Sequence, residues 1–184
     1  MNTRNRTRNR IALILVVAAF VVPFLGTWYL STTGWRPQGM RNFGTLIEPP
    51  RDLSAARFVL ADGGTLGWKD ANWSWTVVAL PGPDCAQACL RELDELRRVR
   101  LTLNRNAARV RLIVLADLPQ QALASLAPMQ SARDVDGVLA AYRPAVADAL
   151  AVVFIDPHGF LVLSHAAGYD ANKLRKDLER AIKS

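Results

Sequence analysis

The chain has 184 residues, 51% of them apolar, and a formal net charge of +7. That suits one domain with a real core plus a short appendage, and no stretch has a disordered composition. The positive charge raises nucleic acid as a partner, but Arg4, Arg6, Arg8 and Arg10 concentrate it before any acid appears, and no basic-aromatic motif follows, so no nucleic-acid partner is expected.

Residues 1–10 read as a basic cytoplasmic tail. Residues 11–30, Ile11 to Leu30, contain no charged side chain. A helix of about 20 residues crosses a hydrocarbon core of roughly 30 Å. Trp28 and Tyr29 close the run, where amphipathic rings prefer the interface, and the arginines before it hold the N-terminus inside. The lipid bilayer is therefore the expected partner of residues 11–30. A single pass through a bacterial inner membrane would put the C-terminal domain in the periplasm. A cleaved secretory signal is the other reading; the run is long for one, and no Ala-x-Ala site follows. Both readings export the domain.

Residues 31–53 contain Gly34, Pro37, Gly39, Gly44, Pro49 and Pro50 and read as an irregular tether. Residues 54–184 then form the domain. Phe58 to Leu60 is a short strand, followed by an Asp62-Gly63-Gly64 turn. Trp75 to Leu80 is a β-branched, mostly apolar run suited to a buried strand. Trp73 and Trp75 are expected on one face of it.

After the break at Pro81 to Asp84, a helix is expected from about Ala86 to Leu103, with Asp84 as its cap. Cys89, Leu93, Leu96, Val99 and Leu103 fall on one stripe of that helix. Val110 to Leu115 is the next strand, and Gln120 to Leu126 a short helix. Ser131 to Pro144 shows no firm element beyond weak helical character at Val138 to Tyr142. Ala149 to Ile155 and Phe160 to Ser164 form a hairpin around Asp156-Pro157-His158-Gly159. Asp170 caps a last helix whose Leu174, Leu178, Ala181 and Ile182 share a face. Strand-helix-strand units imply parallel pairing, and the hairpin adds an antiparallel edge. The order describes an α/β thioredoxin-like sandwich with an N-terminal transmembrane helix.

The two cysteines, Cys85 and Cys89, lie after a strand and at a helix start. Free amides and the helix dipole there favour a thiolate. Cysteines four residues apart on one helix face can close a disulfide or grip a soft monovalent ion such as Cu(I). A purely structural disulfide remains the plain alternative.

These features resemble the SCO family of membrane-tethered copper-delivery proteins, which serve cytochrome c oxidase assembly. The likeness runs from Asn42 to Ser184. It is carried by Asn42-Phe-Gly-Thr-Leu, by Phe58-Val-Leu-Ala-Asp-Gly-Gly, by Cys85-Ala-Gln-Ala-Cys89 and by Phe154-Ile-Asp-Pro-His-Gly. It implies a thioredoxin-like fold, copper held as Cu(I) by Cys85 and Cys89, and an oxidase subunit or copper chaperone as partner.

The sequence departs from the family at three places. Ala86 and Leu90 stand where the family has proline after each cysteine. Asp148 stands near the place of the family's histidine ligand, so the third ligand is not found; carboxylate is a hard ligand for Cu(I). His158 falls in the hairpin turn and His165 at a strand end, and neither matches the ligand position.

A thiol-disulfide oxidoreductase is the alternative function, although such enzymes usually carry Cys-x-x-Cys and a proline directly before the late strand, and Pro144 lies too early. No phosphate loop, nucleophile elbow or metal-hydrolase motif is present in the sequence. The expected function is therefore an accessory factor in respiratory oxidase assembly that acts by thiol redox or Cu(I) handling. A degenerate scaffold with a structural disulfide is the third possibility.

Overall fold

The computed structural model describes residues 3–33, 42–69 and 72–183. They fall into two units, Met1–Arg41 and Asn42–Ser184. In the first, helix α1 spans Thr3–Thr32 without a break between the arginine-rich start and the apolar run. The segment Arg10–Thr32 is long and apolar enough to cross a membrane, and none of it is buried against protein. Pro23 removes one backbone donor inside α1. One turn later, Thr27 donates its hydroxyl to the Pro23 carbonyl at 2.9 Å.

The second unit holds strands β1 (Thr45–Asp52), β2 (Phe58–Leu60), β3 (Trp75–Pro81), β4 (Val110–Val114), β5 (Gln130–Asp134), β6 (Leu150–Ile155) and β7 (Phe160–His165). Its helices are α2 (Gln87–Thr102), α3 (Gln120–Ser125) and α4 (Ala171–Lys183). The strands make one sheet in the order β1-β7-β6-β3-β4-β5-β2. The pairs β3/β4 and β4/β5 are parallel, as the crossovers through α2 and α3 require. All other pairs are antiparallel. The three strands expected to share a sheet are its centre, in the order β4, β3, β6.

Those central strands are apolar at nearly every position because both faces are covered. Val77, Ala79, Leu112, Val114, Val152 and Phe154 face α2 and α4, where Cys89, Leu93, Leu96, Leu174 and Leu178 meet them. Val78, Leu80, Ile113, Leu115, Val153 and Ile155 face the other way, onto Leu53, Phe58, Trp68 and Leu139. The second layer is thus built of loops, short turns and the start of β2.

Three expectations need correction. The tether was expected to be irregular through residue 53; residues 34–41 lie outside those described, but Thr45–Asp52 is strand β1. Its polar, proline-bearing sequence gives no strand signal; pairing with β7 holds it. Residues Gln130–Asp134 form β5 inside the stretch that showed no firm element. That strand is polar too, and its ladders to β4 and β2 replace side-chain pattern as the cause. Trp73 does not share a strand face with Trp75. Its φ is 54° and its side chain is exposed, against the ring of His158 with centroids 5.0 Å apart. Trp68 does pack, edge-on to Phe58.

The entry of the chain into the domain is fixed by one buried carboxylate. Asp177 Oδ2 accepts hydrogen bonds from the amides of Phe43 at 2.8 Å and Gly44 at 2.9 Å. Arg180 donates to its other oxygen at 3.1 Å. His165 Nε2 lies 3.4 Å from Oδ2, and both side chains are almost wholly buried. A Cβ on Gly44 would stand 2.8 Å from His165 Nε2, so the approach requires glycine. Burial pushes the His165 pKa down, and the Asp177 charge only partly opposes this.

Truncating Leu93 to Ala in the helix stripe should cost about 2–5 kcal/mol, read from denaturant unfolding. The histidine makes a prediction of a different kind. Because burial lowers the His165 pKa in the fold, the unfolded chain takes up its proton first as pH falls below 6.5. Stability should be full above that value and decline below it, and His165→Gln should flatten the decline in melts run across that range.

Candidate redox site

Strand β3 ends at Pro81, and after five intervening residues α2 begins at Gln87. Cys85 sits in this connection and Cys89 in the first turn of the helix. Their sulfurs are bonded, with Cα atoms 5.1 Å apart. Cys85 is half-buried, while Cys89, part of the apolar stripe, is fully buried under α2. The structure places the pair between β3 and the first turn of α2 and joins it.

The cap of α2 is not where the sequence places it. Ala86 occupies the cap position and makes no side-chain cap bond. Asp84 does not cap the helix by its side chain; its backbone carbonyl accepts from the amide of Asp148 at 2.9 Å. The helix is capped by Asp148 itself, from the loop before β6. Its Oδ1 accepts from the amides of Ala86 and Cys89, each at 2.8 Å, and its Oδ2 from the amide of Ala88 at 2.9 Å. The amides of Cys89 and Ala88, in that order, hold the Asp148 carboxyl below the usual carboxylate range; the Ala86 amide and the charge of Arg91 add to this, and partial desolvation opposes it.

Asp148 reaches the helix because its loop is folded back on the β3–α2 connection. It takes a φ of 54°, a region where Asp is among the tolerated side chains. The Gly82 amide donates to Ala149 O at 2.9 Å. A Cβ on Gly82 would lie 2.2 Å from Val146 O, so only glycine lets the two backbones meet. Arg143 pins the same loop by donating to Pro81 O at 3.2 Å and to Leu115 O at 2.7 Å, the ends of β3 and of the β4 run.

Below the disulfide, one turn further along α2, lies Glu92. Burial pushes its carboxyl pKa up, and the charges of Glu95 and Asp148 push the same way. Its Oε2 is buried without a hydrogen-bond partner among the described residues, as is the hydroxyl of Tyr169. Burial raises the Tyr169 phenol pKa as well, with Glu92 and Glu95 adding to it. The surroundings of the buried cysteine are therefore acidic.

The residues present do not fit a Cys-Cys-His copper site. The carboxylate at the family's histidine place is committed to three backbone amides. His158 stands in the β6–β7 turn against Trp73, and His165 is buried beside Asp177. No group of three or more His, Cys, Asp or Glu side chains able to hold a metal occurs among the described residues. Arg143 and Glu92 had no assigned role in the sequence reading, and Asp148 was marked only as standing near the family's histidine place. The expected cap at Asp84 hid the capping role of Asp148, since a helix starting at Ala86-Gln87 has no capping side chain of its own and finds its acceptor in Asp148. In the reduced chain, Cys85 should be alkylated by iodoacetamide well before Cys89, and mass mapping of a short pulse would reveal the reverse order if exposure does not govern the pair.

The fold is shared with yeast Sco1 with copper bound, at a TM-score of 0.55 and 17% identity over 82% of this chain and 96% of that one. Arabidopsis thaliana ScoI with copper bound gives 0.53 and 16%, over 76% and 98%. A putative protein disulfide isomerase from Bacteroides thetaiotaomicron gives 0.51 and 16%, over 78% and 95%. These likenesses establish the thioredoxin-like fold. No curated protein matches the sequence. A family model described as transmembrane-like, thioredoxin-like, C-terminal domain matches residues 75–184, from β3 through α4. The chain belongs to this transmembrane-like, thioredoxin-like family.

Proposed function

We propose that the protein is a membrane-anchored thiol–disulfide factor whose redox pair is Cys85 and Cys89. The observation that carries this is a disulfide at the start of α2 between a half-buried Cys85 and a buried Cys89. A client thiolate would attack Sγ of Cys85; the bond to Cys89 breaks, and Cys89 leaves as a thiolate and takes a proton. A second client thiol then displaces Cys85. The client is oxidised by two electrons to a disulfide and the pair is reduced to two thiols, and the cycle runs backwards with a client disulfide.

The anchor is α1, with the domain on the outer, periplasmic side of a bacterial inner membrane. The arginines ahead of the apolar run support that orientation. The finer placement is an accessory role in respiratory oxidase assembly, with an oxidase subunit or copper chaperone as partner. Its support is the resemblance to SCO proteins in cysteine spacing and fold. A second reading, that the reduced pair carries Cu(I) as cargo on its two sulfurs, is favoured by the same spacing and by the chemistry of soft thiolate ligands.

Incubation of the full chain in detergent with a model dithiol should transfer its disulfide to the dithiol, and Cys89→Ser, incubated instead with a client disulfide, should trap a mixed disulfide through Cys85. Failure of both would leave a structural disulfide as the surviving account. The copper reading is tested by titration: reduced wild type should bind Cu(I) and hold Cu(II) poorly, and Cys85→Ser should abolish the Cu(I) binding. A reporter fused after Ser184 should be active only outside the cytoplasm; activity inside would reverse the orientation.

A further inference from the structure

We propose that Asp148 is a positioning residue for thiol–disulfide exchange: its carboxylate, seated on the first amides of α2, holds the Cys85–Cys89 equilibrium on the disulfide side. The inference rests on the redox reading of the pair. Opening the disulfide puts negative charge on one sulfur before a proton arrives. At a bare helix start that charge is welcomed by unpaired amides and by the dipole, which lowers the cysteine pKa and makes the disulfide a stronger oxidant.

Here the amides of Ala86, Ala88 and Cys89 already donate to Asp148, at 2.8 to 2.9 Å. Their partial positive charge is matched in advance. A sulfur anion would find no free amide among the three and would face a carboxylate. The effect falls hardest on Cys89, which is fully buried and shares its own amide with Oδ1. Cys89 is also the leaving group when Cys85 is attacked.

Nearby groups strengthen the bias. Glu92 follows Cys89 by one turn on the same helix and interacts unfavourably with Asp148. The opposing cation is Arg91, which lies on the exposed side of α2 and only partly offsets the carboxylate. The loop that presents Asp148 is fastened by Arg143 and by the close pass at Gly82, so the carboxylate has a fixed address.

The test is a redox titration of the full chain in detergent micelles against mixtures of reduced and oxidised glutathione, comparing wild type, Asp148→Asn and Arg91→Gln. Asp148→Asn keeps the shape and removes the charge. It should shift the equilibrium toward the dithiol by about tenfold, which is about 30 mV for this two-electron couple. Arg91→Gln removes the offsetting cation and should shift it the other way. If wild type exchanges reversibly while neither variant moves the equilibrium, Asp148 is a structural cap alone, and the redox reading stands without this inference. If Asp148→Asn does not fold, Arg91→Gln decides, and an unchanged equilibrium or a shift toward the dithiol overturns the proposal. A wild-type disulfide that glutathione opens only after the domain unfolds overturns the redox reading and this inference together.

Discussion

The site depends on one borrowed cap. Helix α2 begins with Ala86 and Gln87, neither of which accepts for its own orphaned amides, and the deficit is met from a residue about sixty positions away in the chain. Everything near the cysteines is arranged around that loan. The loop before β6 must turn through a left-handed Asp148, pass over a glycine at 82, and be fastened by Arg143 to the ends of two central strands. Helix start, disulfide and loop thus form one unit, and a disturbance of any part reaches the sulfurs.

This arrangement gives a physical account of the departures from the SCO pattern. At the place where that family has a softer, neutral nitrogen ligand, this chain has an anion already satisfied by backbone donors. An anion at a helix N-terminus is a favourable interaction in itself. The substitution therefore exchanges one use of the position for another: a ligand that reaches out to a metal gives way to a carboxylate that reaches in to the helix. The scaffold is kept while the chemistry offered to the cysteines changes.

Most of the central fold was legible from residue patterns. Runs such as Thr76-Val-Val-Ala-Leu and Leu150-Ala-Val-Val-Phe-Ile are buried on both faces, and only a covered sheet tolerates that. The stripe of Cys89, Leu93, Leu96 and Val99 marked α2, and Asp170 marked the start of α4, where it accepts from Asn172 and Lys173. The strands that escaped, β1 and β5, carry few apolar side chains at alternating positions. Their backbones pair because partners are present, and that cause leaves little trace in local composition. The site was half legible for a related reason. Cysteine spacing is local, so the pair stood out. The contact of Asp148 with α2 joins distant segments, and nothing in the spacing could announce it; Asp148 was marked only as standing near the family's histidine place, and the cap was assigned to Asp84. His165, expected at a strand end, proved to be enclosed by Asp177 and Phe154, a burial that a one-dimensional pattern cannot give.

The strands at the two margins of the sheet bear on how this domain can meet other proteins. β1 carries Pro49 and Pro50, which offer no amide hydrogen, and its register with β7 slips between Leu46 and Arg51. β2 is three residues long and is folded against its own following turn through a bridge from Val59 to Thr65. Proline, irregular register and extreme shortness are the devices by which natural sheets refuse an incoming strand. Recognition by strand addition, a common way for sheet proteins to seize extended peptides, is therefore disfavoured at both ends. A client would have to be read by side chains and loop surface around the sulfurs, and neighbouring copies at high density would have little backbone through which to zip together.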